Sequence, residues 1–187
     1  RPLSHLRRSP ESGAIHASNG TAPPGTSSAS VDRAASLDGP VYARRGFLRS
    51  WGDSLLSLSG YRPAIDVLLP GGRLDTLDLR GFDSPMLPRR RAYGRGEVDT
   101  PPLLTASAVP LGDRLYVLNM RPKHLQVDVY DRRGRLQRIL TENPPDDLEA
   151  PDYFAIDLAA FEGPDGTLRI AVVTHEPEPA IRCYRIR

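Results

Sequence analysis

Gly112-Asp113-Arg114-Leu115-Tyr116-Val117-Leu118-Asn119, followed shortly by Val127-Asp128-Val129-Tyr130-Asp131-Arg132-Arg133-Gly134-Arg135-Leu136, is the stretch that decides the fold. Leu115 to Leu118 form a short, nearly all-apolar run, the pattern of a strand covered on both faces. Arg121-Pro122-Lys123-His124 then turns the chain, because proline fixes φ and cannot donate to a ladder. A further strand is predicted at Leu125–Tyr130, and the two-residue period puts Leu125, Val127 and Val129 on one face. Asp131-Arg132-Arg133-Gly134 is a hairpin turn in which Gly134 can take positive φ. Leu136, Ile139 and Leu140 mark the next strand. Upstream, Leu103, Leu104, Ala106, Ala108 and Val109 mark a strand that Pro110-Leu111-Gly112-Asp113 ends. Residues 102–142 thus read as four antiparallel strands in sequence order.

The unit recurs. Gly52-Asp53-Ser54-Leu55-Leu56-Ser57-Leu58 stands 60 residues before Gly112-Asp113-Arg114-Leu115-Tyr116-Val117-Leu118, and Ile65, Val67 and Leu69 stand 60 before Leu125, Val127 and Val129. The turn Pro70-Gly71-Gly72 is shorter, after which Arg73-Leu74 matches Arg135-Leu136, and a first strand falls between Val41 and Trp51. A third copy opens at Tyr153–Leu158, turns at Gly163-Pro164-Asp165-Gly166, continues through Leu168, Ile170, Val172 and Val173, and ends in Ile181–Ile186 without a fourth strand. Short strands repeating at this period predict an all-β fold of β-propeller blades, each of four antiparallel strands. About three blades are present, at 41–80, 102–142 and 152–187. Propellers close with roughly four to eight blades, so the ring is incomplete. The chain is expected to be the C-terminal part of a longer protein, or to need self-association to close. The fourth strand of the last blade is expected from upstream of Arg1 or from the tail, since an open sheet edge invites aggregation.

Residues 1–38, rich in Ser, Pro, Gly, Ala and Arg, are too poor in apolar anchors to offset their ordering entropy and are read as a disordered tail or linker, leaving 39–187 as the partial propeller. Lys123 is the only lysine among 25 basic residues, and Asn19, Asn119 and Asn143 the only asparagines; this skew reads as the codon bias of a GC-rich bacterial genome. A formal charge of +2 lacks the clustered excess of a nucleic-acid binder. Cys183 has no partner for an intramolecular disulfide and is read as a small buried hydrophobe. No stretch approaches the roughly 20 apolar residues that span a bilayer.

The Gly-x-Leu-Tyr-Val strand at Gly112–Val117 and the Val-x-Val-Tyr-Asp-x-x-Gly hairpin at Val127–Gly134 resemble six-bladed propellers of the NHL-repeat-like group. The likeness is good over about 40 residues, moderate over 52–79 and loose over 153–186. It implies a loop-built binding surface for a protein or small ligand, and a periplasmic or extracellular location. It also implies an alternative: some members are metal-dependent lactonases, which hold a divalent cation such as calcium in the central channel through oxygen ligands. Asn119 and Asp157 are the positions that fit such a metal site, and His175 could face the channel as a general base. Arg89, Arg90, Arg91 and Tyr93, in the connection between the first two blades, form a candidate anion-binding group; the plain reading is a mobile, solvated loop. His5, His16 and His124 show no metal spacing. With no Gly-x-Ser-x-Gly elbow, no phosphate-cradling glycine loop and no paired His or Cys ligands, no catalytic residue is assigned.

Overall fold

Wherever turn residues bound an alternating run, the run becomes a strand. The structure, a computed structural model, describes residues 3–8, 46–121, 124–142, 154–176 and 179–186. The strands are β1 (Leu3–Arg8), β2 (Phe47–Trp51), β3 (Ser54–Leu58), β4 (Ala64–Leu68), β5 (Leu74–Asp78), β6 (Thr105–Leu111), β7 (Arg114–Asn119), β8 (Gln126–Tyr130), β9 (Leu136–Glu142), β10 (Phe154–Glu162), β11 (Leu168–Glu176) and β12 (Ala180–Ile186). One helix, α1 (Leu87–Gly94), lies between β5 and β6.

β2 to β5 form the first blade, an antiparallel meander, and β6 to β9 form the middle one in the same way. β10, β11 and β12 form three strands of the last blade. Its fourth place is filled by β1, which pairs antiparallel with β12 at Leu6↔Ile186 and Arg8↔Tyr184. β1 also runs parallel to β9 from Leu3↔Ile139 to Leu6↔Glu142, so it joins the outer edges of the middle and last blades. The fold is therefore all-β, three four-stranded propeller blades in an unclosed ring. Leu3–Arg8, within the segment read as a tail, thus forms a strand whose hydrogen bonds two sheet edges supply. The remainder of the tail and the expected strand residues 41–45 lie outside the described residues.

The blades stack face on face. Tyr116, Leu118, Leu125, Val127, Val129 and Leu140 meet Leu158, Ile170, Val172 and Tyr184 in a core between the middle and last blades. Trp51, Leu56, Leu58 and Ile65 meet Leu115, Val117 and Tyr130 in a second core between the first and middle blades. The middle blade is thus sandwiched, which is why β8 is buried at every residue. Cys183, expected to be buried, is only partly so, because it pairs with Ala171 on the face of the last blade that no other blade covers among the described residues.

Residues 87–94, expected to be a loop, are helical. Pro88 sits in the first turn, where its missing N–H costs nothing, and the arginines and Ala92 are good helix formers. Arg91 lies in the last turn, favourably for the helix dipole.

Two carboxyls give stability opposite pH dependences. Asp165, in the β10–β11 turn, is held down to about 2, first by the Thr167 hydroxyl and amide and then by Arg185. Its contribution is present above the unfolded value and is lost as pH falls toward about 2. Burial pushes Asp128 above the usual carboxylate range, so the folded state holds that proton more tightly and stability falls as pH rises through the interval. Urea midpoints measured against pH should show Asp165→Asn removing part of the acid-side loss. Asp128→Asn should flatten the loss on the rising side, and an unchanged slope there would rule out burial as what controls this carboxyl.

Candidate functional site

The first strands of the three blades, β2, β6 and β10, lie side by side. Each contributes one polar side chain to a common point. Arg49 of β2 donates to both carboxylate oxygens of Asp157 on β10, at 3.1 and 3.3 Å. The Ser107 hydroxyl of β6 donates to the same carboxylate, as does the Leu158 amide at 2.9 Å. Three elements distant in sequence therefore converge as strands do around a propeller axis.

Beside this group, where β2 and β6 begin, a cleft of about 340 Å³ opens between the first and middle blades. Phe47, Leu58, Leu103, Met120 and Ile156 give it an apolar lining. The Arg49 guanidinium lies 5.3 Å from the centre of the Phe47 ring, so the polar group stacks against the cleft wall. The cleft's position follows from Gly60. At φ +74 this residue brings its carbonyl to the amides of Leu104 and Thr105, at 2.7 and 3.1 Å, and a Cβ there would lie 2.9 Å from the Thr105 carbonyl oxygen. Thr105 lines the cleft and is fully buried, and its hydroxyl has no hydrogen-bond partner among the described residues. Native proteins leave few such groups unsatisfied.

A second polar cluster lies between the first and middle blades. Asn119 donates to Asp128 at 2.9 Å and to the Asp83 carbonyl at 2.8 Å, while Gln126 donates to the other Asp128 oxygen at 2.6 Å and Tyr130 completes the group at 3.4 Å. These bonds tie the β5–α1 connection to the middle blade.

The residues singled out in the sequence are dispersed. Asn119 and Asp157 stand in these two separate clusters and share no partner. Arg89, Arg90, Arg91 and Tyr93 all lie on α1. Arg90 reaches the cleft, donating to the carbonyl of the lining residue Tyr61 at 3.2 Å with its guanidinium 5.6 Å from the Tyr93 ring centre, whereas Arg89 and Arg91 are exposed. His175 is exposed near the end of β11. Among the described residues, no three His, Cys, Asp or Glu side chains are grouped to hold a metal ion. Sequence reading missed Arg49, Ser107, Thr105 and Asp128. None belongs to a motif, and only their places on strands give them a role.

The fold defines a protein built of propeller blades. No family model and no curated protein matches the sequence. Among solved structures the chain is similar to the crystal structure of Myxococcus xanthus glutaminyl cyclase, at 16% identity and a TM-score of 0.46, over 76% of this chain and 54% of that one. The chain thus spans about half the length of that structure. A likeness of this degree transfers neither site nor substrate.

Proposed function

We propose that the chain is a non-enzymatic binding scaffold whose cleft between the first two blades takes a small ligand, apolar in body and carrying one hydrogen-bonding group. The observation that carries this reading is the buried Thr105 hydroxyl, without a partner among the described residues, on a largely apolar cleft. A ligand that engaged it would convert a cost of burial into a specific contact. Arg49 and Asp157, next to the cleft wall, set the polarity at one end.

A thermal-shift screen with small amphiphilic compounds tests the proposal. Ile156→Trp, at a partly exposed lining position, should fill the cleft and abolish any ligand-induced rise in melting temperature while leaving the free protein folded. Thr105→Val should raise the stability of the free protein by about 1 kcal/mol, because it removes an unsatisfied buried hydroxyl at nearly constant volume, and should weaken ligand binding. If binders keep their full effect on both variants, the cleft is not the site. The metal-dependent hydrolase reading has no comparable observation behind it, since its two ligand candidates stand apart.

A further inference from the structure

We infer that the polar group of the ligand is a hydroxyl, held between the Thr105 hydroxyl and the Asn119 side-chain carbonyl; this rests on the cleft reading above and specifies what the cleft selects. Thr105 and Asn119 are register partners across β6 and β7. Side chains at such positions leave a sheet on one face, with Cβ atoms about 4.5–5.5 Å apart. Both residues are buried, at 0% and 3% exposure, and Thr105 Oγ1 and Asn119 Oδ1 are each without a hydrogen-bond partner among the described residues. A bulge creates the pairing. Ser107 stands opposite Leu118, so an unbroken alternation would send Thr105 to the face that carries Ser107, toward Asp157 of the last blade. Instead Ala106 is the extra residue, Thr105 moves opposite Asn119, and its side chain turns to the first blade, where it lines the cleft.

The Asn119 amide is oriented by its other partners. Its Nδ2 donates to the Asp83 carbonyl at 2.8 Å and to Asp128 at 2.9 Å. Exchanging the two amide atoms would set oxygen against the Asp83 carbonyl oxygen, so the unpartnered atom is the oxygen. That oxygen can only accept, whereas the Thr105 hydroxyl can donate or accept. A single ligand atom that serves both must therefore carry a hydrogen of its own. A hydroxyl oxygen does so, donating to Asn119 and accepting from Thr105, without the charge that an amine would bring into a buried site. A carbonyl or ether oxygen can accept from Thr105 but leaves Asn119 unsatisfied, and a buried acceptor left unpaired carries its full desolvation cost. The apolar body of the ligand then lies along Leu103 and Met120, the neighbour of Asn119 in the chain.

Octanol and its isomer heptyl methyl ether share one set of atoms, but only the alcohol oxygen carries a hydrogen, and calorimetric titration of each into the protein tests the inference. Octanol should bind about tenfold or more tightly than the ether, and Thr105→Val should weaken octanol by about tenfold. In a crystal structure of the octanol complex the oxygen should lie within hydrogen-bonding distance of both Thr105 Oγ1 and Asn119 Oδ1. An ether bound as tightly as octanol, with both lost in Ile156→Trp, would overturn the inference and leave the cleft standing as a ligand site. So would an octanol oxygen found elsewhere, with an ordered water between the two residues. Binding of neither compound would overturn the cleft reading and the inference together.

Discussion

Gly134→Ala will destabilise the protein by about 3 kcal/mol or more, although it adds a single methyl group. Gly134 turns the β8–β9 hairpin at φ +70, a conformation that costs an L-residue about 1–2 kcal/mol. The larger part of the loss comes from the neighbouring blade. A Cβ at this position would lie 2.1 Å from the Asp78 carbonyl oxygen at the end of β5, a backbone atom that cannot swing aside. The hairpin is held there by the Arg80 amide donating to the Gly134 carbonyl at 2.7 Å and the Leu136 amide donating to the Arg80 carbonyl at 3.1 Å. Relieving the clash means breaking this link between the first and middle blades. Gly71→Ala is the control, since Gly71 has φ +85 but open space around its would-be Cβ; its cost should stay near the conformational penalty alone. Urea unfolding of both variants measures the difference. Equal losses would show that the blade contact contributes nothing and that φ explains everything.

Gly134 also shows what the sequence could and could not disclose. Its place in a hairpin and its positive φ follow from Asp131-Arg132-Arg133-Gly134 alone. That the turn leans on Asp78 does not, because the contact joins residues far apart in the chain. The same division runs through the molecule. The strands of the middle blade were legible because Leu115–Leu118 and the Val127/Val129 alternation are local patterns, and the turns at Gly112 and Gly166 announce themselves by residue type. The alternation of β8 was legible only in part. Gln126 and Asp128 sit on what a two-residue period marks as the wet face, yet both are buried, because the first blade covers that face and supplies Asp83 to the cluster. A polar residue whose partners come from another blade looks, in sequence, like a solvent-facing one. Arg49 and Ser107 were hidden for the same reason, and so was their link to Asp157: each lies in an ordinary strand, and only the convergence of β2, β6 and β10 makes them a group. β1 was obscured differently, since six residues in a Ser- and Arg-rich segment carry too weak a pattern until two sheet edges are available to receive them.

Trp51→Ala should cost about 3–5 kcal/mol, the usual range for truncating a buried aromatic side chain. Trp51 is the only tryptophan, and it is the strut between the first two blades. Its indole N–H donates to the Gly112 carbonyl at 2.8 Å, which anchors the end of β2 to the β6–β7 turn. The Arg132 guanidinium covers its ring at 4.9 Å and also binds Asp113 in that turn at 2.7 Å. Burial, hydrogen bond and cation stacking can be separated. Trp51→Phe keeps most of the apolar contact and drops the indole donor, leaving the Gly112 carbonyl to water at the rim; it should cost about 1–2 kcal/mol. Arg132→Ala removes the stacking at a largely exposed position and should cost about 0.5–1 kcal/mol. Once Trp51 is already alanine, the Arg132 substitution should cost nothing measurable, because the arginine's contribution passes through the ring. Denaturant midpoints followed by circular dichroism, since the fluorophore itself is removed, provide the cycle. Additive losses would mean that Arg132 acts through Asp113 alone. The junction would then be held by the turn rather than by the indole, and Trp51→Phe would be the milder substitution only because phenylalanine is large enough to fill the space.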